Sequence, residues 1–425
     1  QVITEDRASG AQVIDGSLKF NGSNHYLKRT PVSGNRRTWT LSFWVKRGIH
    51  GTSQHIIGNY YNSANDGFNI RFAADDTLGL FDLSGGSYTN GFNVATTQVF
   101  RDTGWYHIVV ALDTAQSTST DRLKVYVNGT RVTSFGTTDF PDENDEYNFN
   151  TANSLSIGRG GSFDGQYFGG RLSNYYHVDG QALGPEYFGF TDPLTNTWRP
   201  KKYDTSTPTN NPNNGTVWSN NASVSSGSFG SGEEATKGFD GNTGTKAKTT
   251  ANGASITITF SGVTVERLLR IRTNYTNGTG SDVEVNDVSY GAAPTASDGE
   301  YKAISGFTGA LTKIKLEAGG SVNAAFSAIE VDGVILQDST TTNNRTWNST
   351  VTFGTNGFYL PLDGNSPIGQ DQSGQGNNWT PVNFGGSVAL DNPQVSGARP
   401  ILNTTSGGTQ AGVGVFGSKE NKFYT

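Results

Sequence analysis

Trp39-Thr40-Leu41-Ser42-Phe43-Trp44-Val45 is built almost wholly of aromatic and β-branched residues, and its first five positions alternate apolar and polar. Successive side chains of a strand point to opposite faces, so this stretch sends Trp39, Leu41 and Phe43 to one side and Thr40 and Ser42 to the other. Leu123-Lys124-Val125-Tyr126-Val127 and Ile256-Thr257-Ile258-Thr259-Phe260 repeat the pattern. Gly, Asn, Asp or Ser bounds each run, as strands require. Asn128-Gly129, directly after Val127, is the strongest short hairpin pattern. No sustained stretch places apolar residues at i, i+3, i+4 and i+7. The best helical candidate is a turn or two near Ala182–Phe188. The chain reads as all-β.

Composition agrees and removes several classes. The 425 residues hold 56 glycines, no cysteine and no methionine; glycine is at roughly twice its usual share, as many tight turns demand. Without cysteine there is no disulfide framework, zinc ribbon, iron–sulfur ligation or thiol catalysis. A net charge of −6 is mild and argues against a nucleic-acid partner. No run of 18 apolar residues exists, so membrane insertion by a helix is not expected. The chain opens on Gln1 and lacks methionine, which we read as a piece of a longer or processed protein.

Polar connectors set the expected boundaries. Asp204 to Thr216 carries two prolines among Asn, Ser and Thr, and Asp338 to Asn344 is a second polar stretch. The expected units are 1–203, 204–344 and 345–425.

Within the first unit six motifs follow in order: Ser17–Gly22, Trp39–Lys46, Gly104–Val110, Lys124–Gly129, Leu155–Gly158 and Phe168–Ser173. This order resembles the concanavalin-like, laminin-G-like jelly roll. The resemblance implies a two-sheet sandwich and leaves activity to be argued from a site. Glucanases of this architecture carry alternating carboxylates on one strand. The acidic cluster here, Asp142-Glu143-Asn144-Asp145-Glu146 after Pro141, lacks that alternation and reads as an exposed loop. The carboxylate pair that glycoside hydrolysis needs is not evident, so no enzyme is expected. None of the five histidines forms a His-x-x-x-His pair, and His107 reads as a strand histidine with satisfied bonds. Tyr60 and Tyr61, in a loop flanked by Gly58-Asn59 and Asn62-Ser63, are the candidates for stacking on a sugar ring. Packing of that loop on its own scaffold is the competing reading.

The middle unit runs from Val217-Trp218-Ser219 through Ala235…Phe239-Asp240-Gly241-Asn242-Thr243-Gly244-Thr245 to Ile329-Glu330-Val331-Asp332-Gly333. It resembles the galactose-binding-like, discoidin-type β-sandwich. That resemblance implies a structural calcium with Asp240, Thr245 and Glu330 as ligands; carboxylates and turn carbonyls are the hard oxygens calcium takes. Lys246 and Lys248 stand where the family carries a tryptophan nearby, and Asp-Gly-Asn is also an ordinary turn.

In the third unit Tyr359-x-x-x-Asp363-Gly364, followed by Asp371-x-Ser373-Gly374-x-Gly376-Asn377, looks like the opening hairpin of a laminin-G-like jelly roll. Residues 356–390 then either complete the first sandwich, with the middle unit inserted, or begin a further repeat. Taken together, the two sandwiches, Val178–Leu183, Trp198–Tyr203, Ala328–Gly333, Asn356–Leu360 and Gly376–Trp379 resemble virion proteins of marine tailed phages, notably those infecting cyanobacteria. That resemblance implies a virion or extracellular location, other virion proteins as partners, and a homo-oligomer, a trimer by analogy with fibres. The leading expectation is a tail fibre or appendage that binds polysaccharide or lipopolysaccharide of a host surface. A capsid decoration protein without sugar binding, a polysaccharide depolymerase and a secreted bacterial adhesin are the alternatives.

Overall fold

The computed structural model describes residues 12, 14–59, 66–160, 166–192, 195–206, 212–213, 215–273, 280–292, 301–304, 306–339, 352–384, 388–389, 415–416 and 423–424. Nearly all regular structure is strand; the helical pieces are single turns such as Ser119–Arg122 and the 3₁₀ turn Pro185–Tyr187. Among the described residues, no helix is long and apolar enough to cross a membrane. The fold is all-β. Two compact units form, one from Gln12–Gly189, Trp198–Pro200 and Thr352 onward, the other from Phe190–Thr197 and Lys201–Val351.

The first of these is a sandwich with thirteen strands before residue 180. They are β1 (Ser17–Asn21), β2 (Tyr26–Arg29), β3 (Thr38–Arg47), β4 (Gln54–Gly58), β5 (Gly67–Phe72), β6 (Thr77–Ser84) and β7 (Ser87–Val99). There follow β8 (Tyr106–Asp113), β9 (Leu123–Val127), β10 (Thr130–Arg131), β11 (Phe135–Asp139), β12 (Leu155–Ile157) and β13 (Gly169–Asp179). One eight-stranded sheet runs β10-β9-β8-β3-β13-β1 and is edged by Val388–Ala389. The other runs β11-β7-β6-β5-β4-β12-β2 and is edged by Thr380–Val382. The free edge of β13 is shared: Leu172 to Gly169 pair with β1, and Tyr175 to His177 pair with Phe358–Leu360.

The alternation of β3 sets the core. Trp39, Leu41, Phe43 and Val45 are fully buried and face Phe68, Ile70, Leu80 and Phe92 of the other sheet. Phe43 stacks on Tyr175 at 4.9 Å and Trp39 meets Phe149 at 4.6 Å. Trp44 points the opposite way. It stacks on His107 at 5.0 Å, and Trp198 stacks on the same imidazole at 5.9 Å. Trp198 Nε1 donates to His107 Nδ1 at 2.9 Å, so the ring's proton sits on Nε2, 2.8 Å from the Ser42 hydroxyl. Burial lowers the His107 pKa to about 3, leaving it neutral.

Buried polar groups fasten residues 352–384 to this sandwich. Asp179 Oδ1 accepts from the Asn35 amide at 2.9 Å and from Asn150 Nδ2 at 2.6 Å, and Oδ2 accepts from the Asn356 amide at 3.0 Å. Asn356 returns its own side-chain amide to Asn150 Oδ1 at 2.7 Å. Gly354 is left-handed (φ +71°), and a Cβ there would lie 2.1 Å from the Asp179 carbonyl oxygen; only glycine fits. Further along, Asp371 gathers the amides of Tyr359, Ser373 and Asn377, each at 2.8–2.9 Å.

The second unit packs two five-stranded sheets. Ala222–Val224, Ile256–Val265, Gly309–Ala318, Gly280–Val285 and Val288–Ser289 form one. Ala247–Lys248, Ala325–Val331, Leu269–Thr273 and Tyr301–Ala303 form the other, with Val334–Ile335 on Ala325–Val331. Trp218, Ile258, Ile271, Ile314, Phe326 and Ile329 are fully buried between them. Asp332 closes one end by accepting from the amides of Glu266, Arg267 and Leu268 at 2.7–2.8 Å.

Asp179→Ala leaves three inward-facing donors without their acceptor, each costing about 1–3 kcal/mol. Urea unfolding is expected to show a loss of more than about 3 kcal/mol, with new proteolytic cleavage within 352–384. A loss below about 1 kcal/mol would show that the junction is not what holds this segment.

Candidate functional site

Register places one row of residues across the non-core face of the second sheet. Lys28 pairs with Ser156, Ser156 with Gly58, Gly58 with Asn69, Asn69 with Phe81 and Phe81 with Asn93. A neighbouring row runs His55, Arg71, Gly79 and Ala95. Paired residues and those two apart in a strand share a face, so Tyr26 joins Lys28, and His55 and Arg71 join Asn69. The local sequence explains the split. In Gly67-Phe68-Asn69-Ile70-Arg71-Phe72 the odd positions are polar or glycine and the even positions are core.

This face holds aromatic rings, guanidinium groups and amides together. The Arg71 guanidinium lies over the Phe81 ring at 4.8 Å, and Arg159 lies over Tyr26 at 3.6 Å. Tyr167 approaches Tyr26 at 6.3 Å, and its backbone bridges that of His55. Asn69 is fully buried, and its side-chain amide faces the His55 ring as a hydrogen-bonding group that favours the ring's charged form. Burial, then the charge of Arg71, lowers the His55 pKa to about 3. It therefore offers a neutral ring. Gly58, at the end of β4, and Gly79, within β6, lie on this face, where glycine commonly marks a close approach. A Cβ on Gly58 would meet the Gly160 carbonyl oxygen at 2.7 Å, whereas a Cβ on Gly79 would find nothing nearer than Arg71 Cγ at 3.8 Å.

Tyr60 and Tyr61 lie outside the described residues, in the segment joining β4 to β5. In the acidic loop Glu146 pairs with Arg36 at 3.1 Å and Arg37 at 3.4 Å, and Glu143 pairs with Arg122 at 3.4 Å. A different carboxylate has the raised pKa: Asp82, pushed up to about 7 by burial. Register puts it level with Phe68 and Phe92 on the core side, where Asn148 donates to both of its oxygens at 2.8 Å. An acid facing the core is no proton donor to a substrate on the outer face.

The proposed calcium ligands do not converge. The Thr245 hydroxyl lies 2.7 Å from Asp240 Oδ2, and the Asn242 amide donates to Asp240 Oδ1 at 2.8 Å, which is a satisfied Asx turn. Glu330 sits opposite Arg270 in register and takes its guanidinium through both oxygens at 2.7–2.9 Å. No contact among the described residues joins Glu330 to the Asp240–Thr245 loop. The set present fits an ordinary turn plus an ion pair and does not fit a six- to eight-oxygen cation site. A second acidic group, Asp282, Glu284 and Glu317, brings its oxygens within 4.8 Å of one another, but Lys315 bridges Glu284 and Glu317 there.

A family model described as the concanavalin A-like lectin/glucanases superfamily matches residues 21–185. This span is thus a concanavalin-like, laminin-G-like domain, and it contains all the residues of the face just described. No curated protein matches the chain. Among solved structures, a heptameric SAP-like pentraxin from Limulus polyphemus is 19% identical with a TM-score of 0.31, covering 41% of this chain and 80% of that one. A putative carbohydrate binding protein from Bacteroides ovatus is 20% identical with a TM-score of 0.28, covering 40% and 45%. Tailspike protein 2 from a bacteriophage of Escherichia coli O157:H7 is 13% identical with a TM-score of 0.28, covering 42% and 27%.

Loop aromatics such as Tyr60 and Tyr61 do not by themselves point to the second-sheet face. The pattern that marks it is an alternating strand whose outward positions are Asn and Arg, beside glycines within β4 and β6.

Two predictions follow from these geometries. The raised pKa of Asp82 means the folded state binds a proton that the unfolded state releases above about pH 4. Its contribution is present below that pH and is lost as pH rises towards about 7. The melting temperature of Asp82→Asn relative to wild type is therefore expected to improve from pH 5 to pH 8; a pH-independent difference would refute the raised pKa. Asp240→Ala should cost about 1–2 kcal/mol for two lost turn hydrogen bonds, equally in calcium and in chelator. A wild-type calcium stabilisation that this substitution abolishes would overturn the turn reading.

Proposed function

We propose that the chain is a non-catalytic, glycan-binding structural component of a phage particle, a tail fibre or related appendage that meets the host surface. The observation that carries the binding part is the outer face of the second sheet, where Tyr26 and Tyr167 stand among Asn93, Arg71 and Arg159 above the buried Asn69 and Phe81. Sugars present apolar C–H faces to rings and hydroxyls to amides and guanidinium groups, so such a mixture suits them. The match of residues 21–185 to a superfamily of lectins and glucanases supports the same reading. The absence of enzyme activity is proposed on the ion-paired acidic loop and the core-facing Asp82.

The particle placement rests on the order of motifs along the whole chain, and with it come an extracellular or virion location and other virion proteins as neighbours. Weak single sites would gain strength through a homo-oligomer, by effective concentration.

A glycan panel with a reducing-sugar assay tests the binding. The wild type is expected to bind a subset of surface polysaccharides and release no reducing ends. Tyr167→Ala is expected to weaken that binding by up to about tenfold. Release of reducing ends would make the protein a depolymerase. Antibody labelling of the particle tests the placement: signal confined to the tail supports an appendage, and uniform capsid labelling overturns it in favour of a decoration protein.

A further inference from the structure

The charge on this face is one-sided. Lys28, Arg71 and Arg159 lie on or over strands β2, β5 and β12. The acid within the same register rows is Asp139, on the edge strand β11 beyond Asn93. Among the described residues, no carboxylate lies within ion-pair range of Arg71 or Arg159. Arg159 Nε donates to the Ser156 hydroxyl at 3.3 Å, and buried Arg71 Nε has no hydrogen-bond partner. The charge of Arg71 acts on the neighbouring buried His55. Arg71 rises from β5 and lies over Phe81 of β6, whereas Arg159 follows β12 and lies over Tyr26 of β2, so the two guanidinium groups mark two separate points along the face. A flat guanidinium with open N–H groups is the shape that grips a planar carboxylate or a sulfate through two parallel hydrogen bonds. The fully buried Asn69 amide lies in register between Gly58 and Phe81 and faces His55, beneath the level at which Arg71 meets a ligand.

We propose that the ligand of this face is an anionic glycan, whose carboxylate or sulfate groups are taken by Arg71 and Arg159 while its rings lie along the half-buried Tyr26 and Tyr167. The proposal rests on the glycan-binding reading above and adds the charge of the ligand. Uronic or sialic acids and sulfate esters share the required chemistry.

The test uses the full chain against three probe classes: neutral galactans, glycans bearing uronic or sialic acids, and sulfated galactans. Binding to at least one acidic class is expected to be about tenfold or more tighter than to the neutral galactan, and to weaken with added salt. Arg71→Gln and Arg159→Gln should each lower acidic binding about tenfold, a larger loss than either causes in neutral binding. Lys313→Gln, on the separate second unit, should change neither. Preference for carboxylated over sulfated probes, or the reverse, names the anion. Equal or better binding of the neutral galactan overturns the proposal and leaves the glycan reading standing. Acidic binding that survives in both arginine variants, with unchanged melting temperatures, also overturns it. No binding by any of the three classes overturns the glycan reading itself.

Discussion

The carboxylate of Asp179 is the junction on which the first sandwich depends. It ends β13, and its two oxygens collect donors from three segments far apart in the chain: Asn35, Asn150 and Asn356. An acidic group in such a position is stable only when its lone pairs are filled, and here backbone and side-chain amides fill them. The same residue fixes the entry of the C-terminal segment, because its amide donates to the Phe353 carbonyl at 2.8 Å and its carbonyl excludes any side chain at Gly354. Phe358–Leu360 can then lie on β13, and Thr380–Val382 can close the edge of the opposite sheet. His177 and Arg29 both reach the Asn356 carbonyl oxygen at 3.2 Å, and the Arg29 charge is answered by two buried acids, Asp371 and Asp179.

That junction has a consequence for where a ligand can sit. The outer side of the first sheet is covered within its own sandwich. Trp198 lies over His107, and the ring of Tyr359 stacks on Tyr176 at 4.3 Å and 3°. Gln12 and Asn174 exchange a hydrogen bond at 2.7 Å and both reach the Tyr359 hydroxyl. Core packing takes the inner sides of both sheets. The outer side of the second sheet is the surface where polar and aromatic groups meet without such a closed network.

Much of this architecture could be read from local pattern. Period two in Trp39–Val45 and Leu123–Val127 marks strands because one face must be buried, and Asn128 is indeed left-handed (φ 49°) before Gly129. The Asp371…Asn377 motif could be recognised as the start of a jelly roll, yet which sheets it would join was open, since that depends on Asp179 and three asparagines separated by hundreds of residues. Val178-Asp179-Gly180 reads locally as a turn. The fate of Glu330 was equally hidden: only strand register sets Arg270 opposite it and turns an expected metal ligand into half of an ion pair. The face built on Asn69 and Arg71 is not legible in the sequence, because alternation tells which residues are outward and not what surrounds them.

The treatment of its other arginines gives the open face its meaning. Arg47 is buried on both ends of its hydrogen-bonding reach, and Asp76 answers it at 2.9 Å while the Phe100 carbonyl accepts a second N–H. Two further donors, Arg101 and the Gly51 amide, hold Asp76 down to a pKa of about 2, the Gly51 hydrogen bond being the larger cause. Arg36, Arg122 and Arg131 each meet a carboxylate within 3.4 Å. Removing a guanidinium from water without an anion is unfavourable, and these pairings are how the sandwich avoids that penalty. Arg71 and Arg159 are drawn from the same sandwich and are likewise placed over aromatic rings, but a ring face, worth about 0.5–2 kcal/mol, and for Arg159 the Ser156 hydroxyl stand where the others have a carboxylate. An anion arriving from solution would supply there what Asp76 supplies to Arg47.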